Sequence, residues 1–159
     1  RIVASRSGPG VAYAAFDAHR DGDFEPYLFR TTDFGETWTP SDAEPRFEPD
    51  SDRSLKQLWH VRPGRPSEPG VIYVGAEPAS LWRSEDSGKT WAENEHLQEH
   101  PSQPNWVPGA GGLCLHTIIL DPSNDDRMSV GISAAGYFRT DDAGQSWKRK
   151  HEGLPRGVN

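Results

Sequence analysis

Six polar side chains fall at related places along this 159-residue chain: Asp17, His19, Gln57, Glu77, His116 and Ser133, with Lys56 and His60 close by. Two carboxylates facing each other across a cleft, Asp17 and Glu77, suit general acid–base work on a glycosidic bond. Glu77 with His60, His116 or His19 suits a divalent cation instead, because imidazole and carboxylate ligands match Zn²⁺ or Mn²⁺. Neither set has a diagnostic local spacing. The third reading is that polar side chains line a water-filled channel. No cofactor is called for, and spacing alone assigns no metal site.

These positions are related because the chain repeats. The segments Thr31-Thr32-Asp33-Phe34-Gly35-Glu36-Thr37-Trp38, Ser84-Glu85-Asp86-Ser87-Gly88-Lys89-Thr90-Trp91 and Thr140-Asp141-Asp142-Ala143-Gly144-Gln145-Ser146-Trp147 share one pattern, Ser/Thr-x-Asp-x-Gly-x-Thr/Ser-Trp. Their Asp residues stand 53 and 56 positions apart, and each copy follows an apolar pair and an Arg. Three copies at one period exclude coincidence. In a β-hairpin the hydroxyl and the carboxylate accept hydrogen bonds from turn N–H groups that otherwise lack partners. Gly35, Gly88 and Gly144 supply a positive φ that a Cβ would oppose. Trp38, Trp91 and Trp147 then re-enter the next strand as large apolar surfaces. Asp33, Asp86 and Asp142 are therefore structural rather than catalytic.

Upstream of each box lies a strand candidate: Val11 to Phe16, Val71 to Ala76 and Met128 to Ile132. Before those come Ile2 to Ala4, Leu58 to Val61 and Thr117 to Leu120. Four short strands per repeat of about fifty residues predict an all-β chain, a β-propeller with three four-stranded blades. The blades run over 1–53, 54–112 and 113–159. Two stretches lack a strand pattern: Pro40 to Arg53, rich in Asp, Glu and Pro and expected to be mobile, and Glu93 to Gly112.

In such a blade the first strand, A, lines the channel. The B–C and D–A loops share one face, and the boxes lie on the other. Aligning the repeats puts Asp17, Glu77 and Ser133 at equivalent places, each closing strand B on the loop face. The same alignment pairs Gln57 with His116 at the entry to strand A. Trp59 and Trp82 are further candidates for stacking on a sugar, with Trp82 read as core. Trp106, in a Pro/Gly-rich loop on the candidate face, reads as a ligand-binding aromatic. Cys114 reads as a small buried thiol, because no activating base stands near it.

The formal net charge of −7 argues against a nucleic-acid partner, whose phosphates need clustered cations. No run approaches the roughly 20 apolar residues of a membrane span. A lone cysteine forms no internal disulfide and leans toward a reducing compartment, so a soluble, cytoplasmic chain is expected. No leader is recognisable in a sequence that opens at Arg1, and ends close to blade boundaries suggest an excised piece or a natural unit of three. Three blades do not close a ring. The expected partners are a second copy, completing six blades by homodimerisation, or missing blades of a longer parent, together with a glycan or protein on the loop face.

The three boxes resemble the Asp-box, or bacterial neuraminidase (BNR), repeats of sialidase-like propellers. The same repeats occur in sortilin-type receptors, xyloglucan-cleaving hydrolases and a photosystem assembly factor. Leu55-Lys56-Gln57-Leu58-Trp59-His60, Gly75-Ala76-Glu77-Pro78 and Pro108 through His116 look like a bacterial group of glycosyl-hydrolase or sialidase-like repeat proteins. That likeness covers about 54–155. Residues 1–40, with Phe16-Asp17-Ala18-His19-Arg20, look more like sortilin-related propellers, which makes the chain a mixture of two subfamilies. The resemblance implies the fold. It implies activity less directly, because the boxes recur over unrelated functions. A sialidase needs an arginine cluster, a Phe-Arg-Ile-Pro-type motif and a Tyr/Glu pair. Arg1-Ile2-Val3 lacks both the Phe and the Pro, and Arg30, Arg83 and Arg139 recur with the boxes as repeat features. The expectation is a non-catalytic binding or scaffold module, with a sialidase-like glycoside hydrolase as the alternative.

Overall fold

The computed structural model describes the backbone of residues 2–4, 10–20 and 23–154, and the side chains of 10–15 and 28–154. The strands fall into three antiparallel sheets of four. Blade 1 comprises β1 (Ile2–Ala4), β2 (Ala12–Arg20), β3 (Asp23–Thr31) and β4 (Thr39–Pro40). Blade 2 comprises β5 (Gln57–Pro63), β6 (Ile72–Glu77), β7 (Ser80–Ser84) and β8 (Ala92–Glu93). Blade 3 comprises β9 (Leu115–Leu120), β10 (Met128–Ile132), β11 (Gly136–Thr140) and β12 (Lys148–Arg149). Within each sheet the strands pair in chain order, which is the up-and-down pattern expected of a blade.

The core lies between the blades. Strand β6 is nearly continuously apolar because both of its faces are covered: Ile72, Val74 and Ala76 look back to blade 1, and Tyr73 looks on to blade 3. The first seam packs Tyr13, Ala15 and Leu28 against Leu58, Val61 and Trp82. The second packs Tyr73, Leu81, Leu97 and Trp106 against Leu115, Val130 and Phe138. Phe138 is fully buried and takes edge-on contacts from Trp106 and His100, with ring centroids 5.2 and 5.0 Å away.

The pairing registers define which residues are equivalent between blades. Ala12, Ile72 and Met128 pair with the box hydroxyls Thr31, Ser84 and Thr140. Counting on from there places Asp17, Glu77 and Ser133 together, as expected from the sequence. Strand A differs from expectation. Leu58 pairs with Ala76 and His60 with Gly75, while Leu115 pairs with Ile132 and Thr117 with Gly131. One residue is extruded from each strand, so Trp59 and not Gln57 is the counterpart of His116, and Gln57 matches Cys114. An ungapped alignment cannot register a bulge, which shifts side chains by one place without changing the strand's composition. The β2–β3 hairpin also differs. It pairs as far as Arg20 with Asp23, so Asp17, opposite Pro26, lies three residues short of the turn and does not close its strand.

The connection over 40–53 is packed rather than mobile. Pro45 is fully buried, the Glu44 carboxylate accepts a hydrogen bond from Leu28 N at 2.9 Å, and Phe47 meets Trp82 edge-on at 5.2 Å. Arg53 lies 4.2 Å over the Phe47 ring and forms a two-pronged pair with Glu93, both contacts at 2.8 Å. Its polar composition hid these anchors. The connection from blade 2 to blade 3 contains a helical turn, α1 (Glu95–Gln98), capped by Asn94, whose side-chain oxygen accepts from Leu97 N at 2.9 Å.

The far side of blade 3 departs from the other two. Register places Ser129, Gly131 and Tyr137 where blade 1 carries Tyr13, Ala15 and Leu28 and blade 2 carries Tyr73, Gly75 and Leu81. The Tyr137 hydroxyl donates to Ser129 Oγ at 2.6 Å, and Arg127, the counterpart of Val11 and Val71, pairs with Asp121 and Asp141. Polar and small residues thus stand on this face of blade 3 where the other blades carry apolar ones, with Ile119, opposite Ser129 on the ladder, exposed beside them.

Candidate functional site

The two ends of each blade behave differently. At one end the three boxes build the same network. The Thr31, Ser84 and Thr140 hydroxyls accept from Gly35, Gly88 and Gly144 N at 3.0, 2.9 and 2.8 Å, and donate to Oδ1 of Asp33, Asp86 and Asp142 at 2.6, 2.8 and 2.7 Å. Each carboxylate then accepts from the backbone N and the hydroxyl of Thr37, Thr90 or Ser146. Hydrogen bonds to the ionised form lower all three carboxyls from 3.8 to about 2, through Thr31 and Thr37, through Thr90, and through Ser146 and Thr140. These acids are ionised and fully occupied, which suits them to holding turns and to no proton transfer. The glycines take φ of 89° at all three places, and the residue before each, Phe34, Ser87 or Ala143, also takes a positive φ. That second strained position leaves no signature in residue type. The tip N–H of each box bonds the A–B turn of its own blade, at Gly10, Gly70 and Asp126 O.

The opposite end carries the candidate ligand residues, and there the blades diverge. On blade 2 the β5 bulge presents Trp59, half-buried, whose indole N–H donates to Glu77 Oε2 at 3.2 Å. Gln57 stands across the ladder from Glu77. The carboxylate lies against Gly112 so closely that an added Cβ there would sit 2.5 Å from Oε1. On blade 3, Ser133 reaches the same glycine: it donates to Gly112 O at 3.0 Å and accepts from Cys114 N at 2.9 Å. Glu77 and Ser133 thus grip the 109–114 loop from two blades. His60 Nδ1 lies 3.0 Å from His116 O, which makes that nitrogen the donor, and His116 Nδ1 lies 2.8 Å from Thr117 Oγ1.

The geometry sorts the expected site residues. Trp59, Gln57 and Glu77 come together, Ser133 joins them through Gly112, and His60 and His116 meet one another. Asp17 and His19 lie on β2 with side chains outside the described residues, so the Asp17/Glu77 pair is not on view. Among the described residues no three His, Cys, Asp or Glu side chains cluster as a metal site would require. Trp106 is corrected to core. Only 8% of it is exposed, its indole N–H donates to Ser102 Oγ at 3.0 Å, and its ring packs on Phe138. Trp82 is buried as read, and so is Cys114. Arg83 pairs with Glu85 and Arg139 with Asp141, in keeping with repeat features. Sequence reading underrated Trp59, whose one available signal was its place beside Gln57 and His60 at the strand entry.

Three antiparallel four-stranded blades, each with a box turn between its last two strands, define an Asp-box β-propeller. Comparison with known proteins agrees. Residues 29–40 match the family model of the BNR/Asp-box repeat. The chain is similar to xyloglucanase Xgh74A of Acetivibrio thermocellus, 29% identical over 135 residues, which is 76% of this chain and 14% of that protein. It is also similar to an oligoxyloglucan-reducing end-specific xyloglucanase of Emericella nidulans, 30% identical over 84 residues, 52% of this chain and 9% of that protein. The crystal structure of a GH74 xyloglucanase from Xanthomonas campestris superposes with a TM-score of 0.66 at 21% identity, over 98% of this chain and 24% of that one. The chain thus spans about a seventh or less of the curated relatives' length. No helix among the described residues is long and apolar enough to cross a membrane.

Proposed function

We propose that the chain is a propeller module whose loop face binds a glycan without cleaving it. The observation that carries this reading is the Trp59–Glu77 pair: a half-exposed indole, oriented by a carboxylate that keeps its second oxygen at the surface of the Gly112 turn. An indole face offers the C–H side of a sugar ring an apolar platform, and a neighbouring carboxylate accepts from ring hydroxyls. The xyloglucanase relatives support a β-glucan of the xyloglucan kind as the first ligand to try. Calorimetric titration with xyloglucan and cellulose oligosaccharides tests it. Binding is expected for the native chain and is expected to fall at least about tenfold in Trp59→Ala, the loss of one stacked ring. Absence of binding to every glycan tried, or binding indifferent to Trp59→Ala, would remove the reading.

A hydrolase is the second reading. It is supported by the relatives' activity and by the equivalence of Asp17 with Glu77, which gives two carboxylates at corresponding points of adjacent blades. Release of reducing ends from xyloglucan or from fluorogenic glycosides, lost in Glu77→Gln, is what it requires.

A further inference from the structure

Both internal seams are closed by one recurring latch. The residue that leaves strand D is fixed by its own N–H: Ser41 N bonds Leu28 O at 2.7 Å, and Asn94 N bonds Leu81 O at 2.8 Å. Its side chain then reaches the box of the next blade. Ser41 Oγ donates to Gly88 O at 3.2 Å, and Asn94 Nδ2 donates to Gly144 O at 3.0 Å. The box Trp is met by the same segment, Trp91 Nε1 donating to Ala43 O at 3.1 Å and Trp147 Nε1 to Asn94 Oδ1 at 3.0 Å. The fit is close: an added Cβ would stand 2.6 Å from Ser41 Oγ at Gly88, and 2.7 Å from Asn94 Nδ2 at Gly144.

Blade 1 has the same seat without its latch among the described residues. A Cβ added to Gly35 would meet only Trp38, at 3.7 Å. Blade 3 carries the matching element. Lys150 N bonds Tyr137 O at 2.9 Å, in the register of Ser41 and Asn94. Arg149 turns back over Gly136, with Nε 3.4 Å from an added Cβ. Alternation along the strand then puts Lys148 and Lys150 on the outer side, as it puts Asn94 on the side of blade 3. Both lysines are exposed, and Gly35 is flanked by Asp33 and the exposed Glu36. The two halves are complementary in charge as well as in register.

We propose that a second copy of this chain fills the seat. Lys150 of one copy donates to the Gly35 carbonyl of the other, and the segment after Lys150 accepts from Trp38 Nε1. Because one chain carries both halves, a twofold axis makes the junction twice and sets six blades in a ring. This junction differs in kind from the internal seams. Ser129, Gly131, Tyr137 and two lysines stand beside the exposed Ile119 in place of a continuous apolar surface, so association is expected to weaken with salt. The proposal does not depend on the glycan reading.

Light scattering after size exclusion, on the 159-residue chain at about 100 μM, tests it at low and high ionic strength. The expected result is twice the 17.7 kDa chain mass in low salt, shifting toward the single-chain mass in about 1 M salt, where the Debye length is about 3 Å. Lys150→Glu, an exposed change that leaves the fold intact by far-UV dichroism, is expected to raise the dissociation constant about tenfold or more. Trp38→Phe, which keeps the ring surface and removes the indole N–H, is expected to do so more weakly. A single-chain mass in low salt overturns the proposal. So does a dimer whose dissociation constant is unchanged by Lys150→Glu, since that dimer would use another surface.

Discussion

The box end and the loop end of the propeller are made by the same strands and have opposite characters. At the box end, three networks agree to within a few tenths of an ångström although the intervening residues differ, Phe34-Gly35-Glu36 against Ser87-Gly88-Lys89 and Ala143-Gly144-Gln145. At the loop end, equivalent positions hold Glu77 and Ser133, or Trp59 and His116. A backbone that must turn within a few residues accepts few solutions. A side chain that meets loops of varying length is freer to change. Repetition in this chain therefore marks what holds the blades, and divergence marks where chemistry has room to vary.

Several substitutions break or sharpen that contrast. The largest effect is expected in the seam that both ends share: Phe138→Ala empties a fully buried site and should cost about 3–5 kcal/mol in denaturant unfolding. Next comes the box end. Gly144→Ala forces a Cβ onto a residue with φ 89° and against Asn94 Nδ2, at a cost of about 1–3 kcal/mol. Acid should act on the same turns. Their carboxyls sit at about 2 when folded against 3.8, so the stability they contribute is complete above pH 4 and fades as the pH falls toward 2. Replacing Asp33, Asp86 and Asp142 by Asn should flatten the stability profile across that window, and an unchanged profile would place the acid sensitivity elsewhere. Ser133→Ala removes two hydrogen bonds from one loop, worth about 1 kcal/mol. Glu77→Gln should barely move stability, within about 0.5 kcal/mol. A Glu77→Gln chain as unstable as Gly144→Ala would erase the distinction between the two ends.

Most of the architecture was legible in the sequence because the boxes fix hairpins at known intervals, and strands β9 to β12 follow from counting between them. Three features were not legible. The strand A bulges leave composition unchanged, so Trp59 and His116 could be paired only through hydrogen-bond register. The connection over 40–53 reads as polar, yet Pro45 and Phe47 anchor it, because two apolar residues suffice when a neighbouring blade supplies Trp82. Trp106 sits among prolines and glycines, which predict exposure, but helix α1 and blade 3 close over it. In each case the deciding contact was with another strand, helix or blade, beyond the reach of local pattern.

Asn94 reaches across the blade boundary, capping helix α1 and binding both Gly144 and Trp147 with one side chain. The repeat of the sequence and the cooperative unit of folding are for that reason out of phase. Amide exchange at the box of blade 3 should track the opening of the α1 turn rather than that of its own first strand. A chain re-opened by circular permutation between Glu93 and Asn94 would leave Asn94 with blade 3, free of the strand that aims it. One re-opened inside the 107–111 loop would keep the latch whole.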